Sequence, residues 1–141
     1  MTTRIASIAI ILLTLSLSAI AQTAEKTYSK SFSTDGKGTI KLDLPGAIDL
    51  KIWDTPTLRI GFTVSIPSGN DAMLSGLANA GRYNLVSKPE GDVLTIQAPN
   101  MQKQIRVKGE ELRETITYVV FVPKDLKIEM PNAENFAIAK K

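Results

Sequence analysis

The amino-acid sequence predicts an all-β fold of short strands, with at most one short helix near residues 72–80. Three observations carry that reading. Apolar and polar residues alternate at a period of two along most of the chain, the pattern of strands with one buried face. Turn signals built from Pro, Gly, Asp and Asn recur about every 8–12 residues, the spacing of sandwiches, barrels and solenoids. A single stretch departs to helical spacing.

The elements follow in order. Ile40, Leu42 and Leu44 alternate with Thr39, Lys41 and Asp43. Pro45-Gly46 then turns the chain, since Pro presets φ and Gly accepts a positive one. Ile48, Leu50 and Ile52 alternate with Asp49, Lys51 and Trp53, and Asp54-Thr55-Pro56-Thr57 makes a second turn. Leu58, Ile60, Phe62, Val64 and Ile66 share one face, the cleanest strand signal in the chain. Pro67 to Asp71 is a loop in which Asn70 or Asp71 can cap a helix over Ala72 to Ala80, with Gly81 as its stop. Met73, Leu74 and Leu77 form its apolar face, which lids one open end of the core or carries recognition; the segment reads equally as an ordered loop.

Arg82 to Lys88 and Val93 to Ala98 flank a four-residue hairpin turn, Pro89-Glu90-Gly91-Asp92. Ile105 to Lys108 is a short strand. Beyond Glu110, residues Leu112, Ile116, Tyr118, Val120 and Val122 share a face, while Val119 and Phe121 make the other face apolar too. A strand of that kind is covered on both sides. Pro123 to Asp125 turns the chain into Leu126, Ile128 and Met130. Phe136 and Ile138 open a last strand, whose edge Lys140 and Lys141 would guard with charge.

The first 21 residues read as a cleavable signal peptide: Arg4, an uncharged run from Ile5 to Ile20, and small residues at Ala19 and Ala21. The run is shorter than a spanning helix and ends in the small-residue pattern of a cleavage site. Cleavage would leave residues 22–141 as one β-rich domain in the periplasm or outside the cell, with no stable membrane insertion. With no Cys in the chain, neither a disulfide nor a cysteine-borne lipid can follow. Net charge is +3, and +2 without Arg4, too balanced for the basic stripe of a nucleic-acid binder.

Chemistry is narrowed further by the absence of His. Ser-His-Asp and Cys-His catalysis are excluded, as are zinc sites of the His/Cys type. Asp35-Gly36-Lys37-Gly38 lacks the ending and the helix of a phosphate loop. Carboxylates and lysines remain. Asp43, Asp49 and Asp54 would pair for hydrolysis only if their strands stacked suitably; otherwise they lie on a solvated face beside Lys41 and Lys51. Glu110, Glu111 and Glu114 offer oxygens to a cation such as Ca²⁺, or mark an exposed strand end. Trp53, the sole Trp, beside Asp54, is either an exposed aromatic for sugar or protein contact or a residue packed over a neighbouring strand.

Two stretches carry a family resemblance. One is Gly38-Thr-Ile-Lys-Leu-Asp-Leu-Pro-Gly46, Ile48-Asp-Leu-Lys-Ile-Trp-Asp54 and Leu58-Arg-Ile60; the other is Tyr118-Val-Val-Phe-Val-Pro-Lys124 with Leu126-Lys-Ile128. Together they resemble the bacterial putative-adhesin family of exported β-rich domains. That resemblance implies a solenoid-like sandwich of antiparallel and mixed strands, and it brings no catalytic residue. Family members continue with Gly- and Asn-rich rungs after the Val-Pro segment, where this sequence has only Pro131 to Lys141. The chain thus resembles the opening half of that architecture, as a short or truncated member.

The expectation is a non-enzymatic exported domain with a structural or adhesion-like role at the cell envelope, needing no metal or cofactor. Its candidate interaction surface is Trp53, Asp54, Met73, Leu74, Leu77, Phe136 and Ile138. An envelope protein or glycan is the expected partner, along with self-association through the C-terminal strand edge. The alternatives are a periplasmic carrier of a small apolar ligand, marked by a closed apolar cavity between sheet and helix, and a carboxylate-based hydrolase.

Overall fold

The computed structural model describes residues 23–132 and the backbone of 139–140. The strands β1 (Thr23–Ser33), β2 (Thr39–Asp43), β3 (Ala47–Trp53) and β4 (Thr57–Pro67) precede a helix, α1 (Asp71–Asn79). After it come β5 (Val86–Glu90), β6 (Val93–Gln97), β7 (Arg106–Val107), β8 (Glu110–Glu111), β9 (Thr115–Pro123), β10 (Lys127–Glu129) and β11 (Ala139–Lys140). Their order is β1-β4-β9-β3-β11 in one sheet, β10-β2-β6-β5 in a second, and a separate β7-β8 hairpin.

Each large sheet has one buried face, and the two faces close on a single core. Ile40, Leu42, Leu94 and Ile96 come from the second sheet; Leu58, Ile60, Val64 and Val120 come from the first; all are fully buried. The alternation of β2 and β4 therefore reads directly onto the packing. At Gly46, between β2 and β3, φ is +140° and a Cβ would stand 2.3 Å from the Ile116 carbonyl oxygen. Only glycine lets the chain cross from one sheet to the other this close to β9.

Both sheets are mixed. In the first, β9, β3 and β11 run parallel; in the second, β6, β2 and β10 do. A continuous solenoid does not form among the described residues, because after β3 the chain reverses at Asp54–Pro56 into β4, antiparallel to both β1 and β9.

Four local features depart from what the sequence pattern shows. Thr23–Ser33 is a strand paired along all of β4, although its apolar residues, Ala24, Tyr28 and Phe32, are too sparse to show it in sequence. Residues 82–85 are not strand, and the following turn is the two residues Gly91-Asp92, with Pro89 on the edge strand β5. The run beginning at Glu110 is broken: β8 pairs with β7, and β9 starts only at Thr115. Ile52 shares the phase of Ile48 but is 64% exposed.

The helix forms where the spacing places it. Asn70 caps it, its side chain accepting from the Met73 amide at 2.8 Å. Gly81 (φ +84°) ends it, with Gly81 N–H bonded to Ala78 O and Arg82 N–H to Leu77 O, the paired bonds of a Schellman cap. Leu74 is fully buried in the core, and Met73 and Leu77 pack half-buried against it. With α1 against β1, Tyr83 stacked on Tyr28, and Lys30 Nζ donating to Leu85 O at 2.8 Å, the β1/β5 side of the sandwich is closed.

Candidate functional site

The outer face of the five-stranded sheet carries an aromatic platform. Register places Ser31, Arg59, Phe121 and Lys51 in one row across β1, β4, β9 and β3. Trp53 leans over β9, its ring centroid 5.2 Å from that of Phe121 with 35° between planes. Its Nε1–H donates to the Thr57 carbonyl at 2.9 Å, so the indole spans from β3 across β9 to the start of β4. That bond ties down the β3–β4 connection, which must pass over the end of β9. Trp53 thus packs over a neighbouring strand and not under α1, while both rings remain half-exposed.

Cations surround the rings. Lys51 Nζ lies 5.9 Å from the centre of the Phe121 ring, within cation–π range. Arg59 is exposed, and its Nε donates to Ser29 Oγ at 3.1 Å. Lys124 pairs with the exposed carboxylate of Asp54. Hydroxyls continue the face, with Thr27 and Thr63 Oγ1 atoms 2.9 Å apart. The platform can stack a ligand's apolar ring face and hold an anion beside it.

Trp53 and Asp54 therefore belong to one surface, whereas Met73, Leu74 and Leu77 belong to another. Met73 and Leu77 border solvent-open hollows between α1 and the β7-β8 hairpin. The larger, about 530 Å³, is lined by Ile66, Pro67, Met73, Val107, Leu112 and Arg113 among others. Leu74 does not reach that surface; it fills the place where a closed ligand chamber between sheet and helix would lie. Phe136 and Ile138 lie outside the described residues, as does the expected signal peptide.

The carboxylates scatter. Asp43 faces out from the second sheet and accepts from Asn132 Nδ2 at 3.0 Å. Asp49 faces out from the first, 4.0 Å from Lys51 Nζ, and Asp54 is bound to Lys124. Among the described residues no three acidic side chains gather to hold a cation. Glu114 is engaged inside the protein instead.

That engagement is the polar feature the sequence reading missed. Arg82 and Glu114 side chains are 8% and 7% exposed, with Arg82 Nη2 2.5 Å from Glu114 Oε1. Arg82 Nη1 also donates to the carbonyls of Asn100 and Lys103, at 2.6 and 2.7 Å, and Tyr83 Oη donates to Glu114 Oε2 at 3.0 Å. Burial first, then the Glu114 carboxylate, hold the Tyr83 phenol well above the usual tyrosine range. The same two causes raise Tyr118. This network pins the helix exit and the 98–104 loop to the start of β9.

The chain matches no protein-family model and no curated relative. It is structurally similar in part to solved bacterial proteins. A putative cell adhesion protein from Clostridium sporogenes aligns over 76% of this chain and 46% of its own, at 13% identity and a TM-score of 0.42. A putative adhesin from Parabacteroides merdae aligns over 74% and 35%, at 18% identity and 0.37. Another from Parabacteroides distasonis aligns over 72% and 33%, at 20% and 0.35. The chain spans less than half the length of each. No helix among the described residues is long and apolar enough to cross a membrane.

Proposed function

We propose that this chain is an exported, non-enzymatic β domain with an adhesion-like role at the cell envelope, and that the Trp53–Phe121 platform is its contact surface. The observation that carries the reading is the platform itself. The Trp53 indole, fixed by a hydrogen bond to the Thr57 carbonyl, leans on Phe121 on an open sheet face. Lys51 lies over the Phe121 ring, Arg59 across from it, and Lys124 is paired to the adjacent Asp54. A purely structural Trp would not need its cationic border. Export is supported by the Arg4, Ile5–Ile20 and Ala19-Ile20-Ala21 pattern.

Retention on isolated cell envelopes tests this. The wild-type protein should stay bound, while Trp53→Ala and Arg59→Glu should be released with the β circular-dichroism signal intact. Equal retention of all three would remove the platform from the function.

A second reading, self-association, is favoured by Ile52. It is 64% exposed beside half-buried Leu50, on the side of the sandwich bounded by β10 and β11. Apolar side chains on a sheet border favour pairing with another chain. Sedimentation should show a concentration-dependent dimer that Ile52→Lys abolishes; a monomer at all concentrations would end this reading.

A further inference from the structure

We infer that the platform binds an acidic glycan, a chain of sugar rings bearing carboxylates. The inference rests on the platform being the contact surface and adds the chemistry of the partner. The indole N–H is spent on the Thr57 carbonyl, so Trp53 and Phe121 offer only ring faces to a ligand. The C–H face of a pyranose stacks on such rings without needing a polar partner.

Arg59 supplies the charge. It sits directly across from Phe121 in the strand register, one strand spacing away, about 4.8 Å. Among the described residues its side-chain hydrogen bond is to Ser29 through Nε, so that bond does not use the terminal nitrogens of this exposed guanidinium. A planar guanidinium is the group that takes a carboxylate through two parallel hydrogen bonds. A sugar stacked on the rings would bring a ring carboxylate to that position. Lys51, on the other side of Phe121, already shares its charge with Asp49, and Lys124 with Asp54.

The rest of the face matches the same partner. Ser29, Ser31, Thr63 and Thr117 place hydroxyls on it at strand and residue spacing, able to donate to or accept from sugar hydroxyls. A protein partner would instead anchor an apolar residue in a desolvated pocket, and this surface is an open sheet face bordered by hydroxyls. Single-stranded nucleic acid also uses stacking and cations, but it tracks a charged groove, whereas this chain carries a net +3 and one ring pair here.

The experiment titrates the full-length protein with polygalacturonate and hyaluronate, with fully methyl-esterified polygalacturonate, and with a single-stranded oligonucleotide. Trp53 is the sole tryptophan, so its emission reports occupancy of the platform. A polyuronate should shift that emission and saturate. Methyl esterification, or Arg59→Gln at unchanged thermal unfolding, should each weaken binding about tenfold, the loss of a charge-assisted bond. Arg59→Lys should restore only part of it, because a point charge replaces a fork.

Equal binding of charged and esterified polymer would overturn acid recognition. So would tighter binding of the oligonucleotide. If neither polyuronate binds while envelope retention still depends on Trp53, the glycan inference fails and the contact-surface reading stands. Loss of that dependence would remove the contact-surface reading itself.

Discussion

The buried contact between Arg82 and Glu114 shows how much a single residue can decide here. Two charges taken out of water cost more than most surface pairs return, so the pair persists because every donor around it has a partner. Removing one member leaves the other stranded. Arg82→Ala should therefore lower stability by about 3–5 kcal/mol in a denaturant titration. The pair was legible only in hindsight. Glu114 lies in phase with Leu112 and Ile116, an inward position for an acid, but its partner stands 32 residues earlier and no local pattern links the two.

Tyrosine titration reads the same neighbourhood. All three phenols, Tyr28, Tyr83 and Tyr118, are raised from 10.0, by burial first and, for the last two, by Glu114 as well. Each holds its proton more tightly folded than unfolded. Stability is then undiminished below the unfolded value near 10 and falls as pH climbs above it. Phenolate absorbance should stay low above pH 10 and rise together with loss of the β signal. An early rise in the native protein would contradict the burial of these rings.

Single elements were legible where their signals are local. The face of β4, the turn at Pro45-Gly46 and the Asn70-to-Gly81 span of α1 all follow from neighbours within a few residues. What sequence reading missed depends on which strands become neighbours. Ile52 has the phase of a core residue and is exposed all the same, which nothing in its local pattern announces. In the same way β1 is a strand because β4 offers a full-length edge, not because its own pattern demands one. Gly46 is the element-scale position to test. Gly46→Ala drives a Cβ into backbone at a φ that L-residues avoid, so it should cost well over about 1 kcal/mol. Gly91→Ala, in open space in the β5-β6 turn, should cost less, being strained only by its φ of +57°. Thermal melts of the two variants make the comparison.

The whole molecule is a sandwich whose neighbours in space are seldom neighbours in sequence. The Trp53–Phe121 platform exists only because β9 lies between β3 and β4, bringing residues 68 positions apart into contact. Sequence reading could place Trp53 on an outer face, but it could not supply Phe121, Arg59 and Lys51 as its company. A chain ending at residue 114 should lack the five-stranded sheet altogether. Circular dichroism and dye binding should then show a collapsed, unfolded state, whereas independent folding of that fragment would mean β9 is dispensable.

The crossing of β3 to β4 over the end of β9 also sets an order of events. Consecutive strands β3 and β4 cannot join until a strand from much later in the chain has slipped between them, and long-range pairing of this kind is slow. Until residues 115–123 have emerged, the first half has no finished sheet to settle into. If the chain is exported as proposed above, a fold that waits for residues 115–123 would keep it threadable until they had crossed.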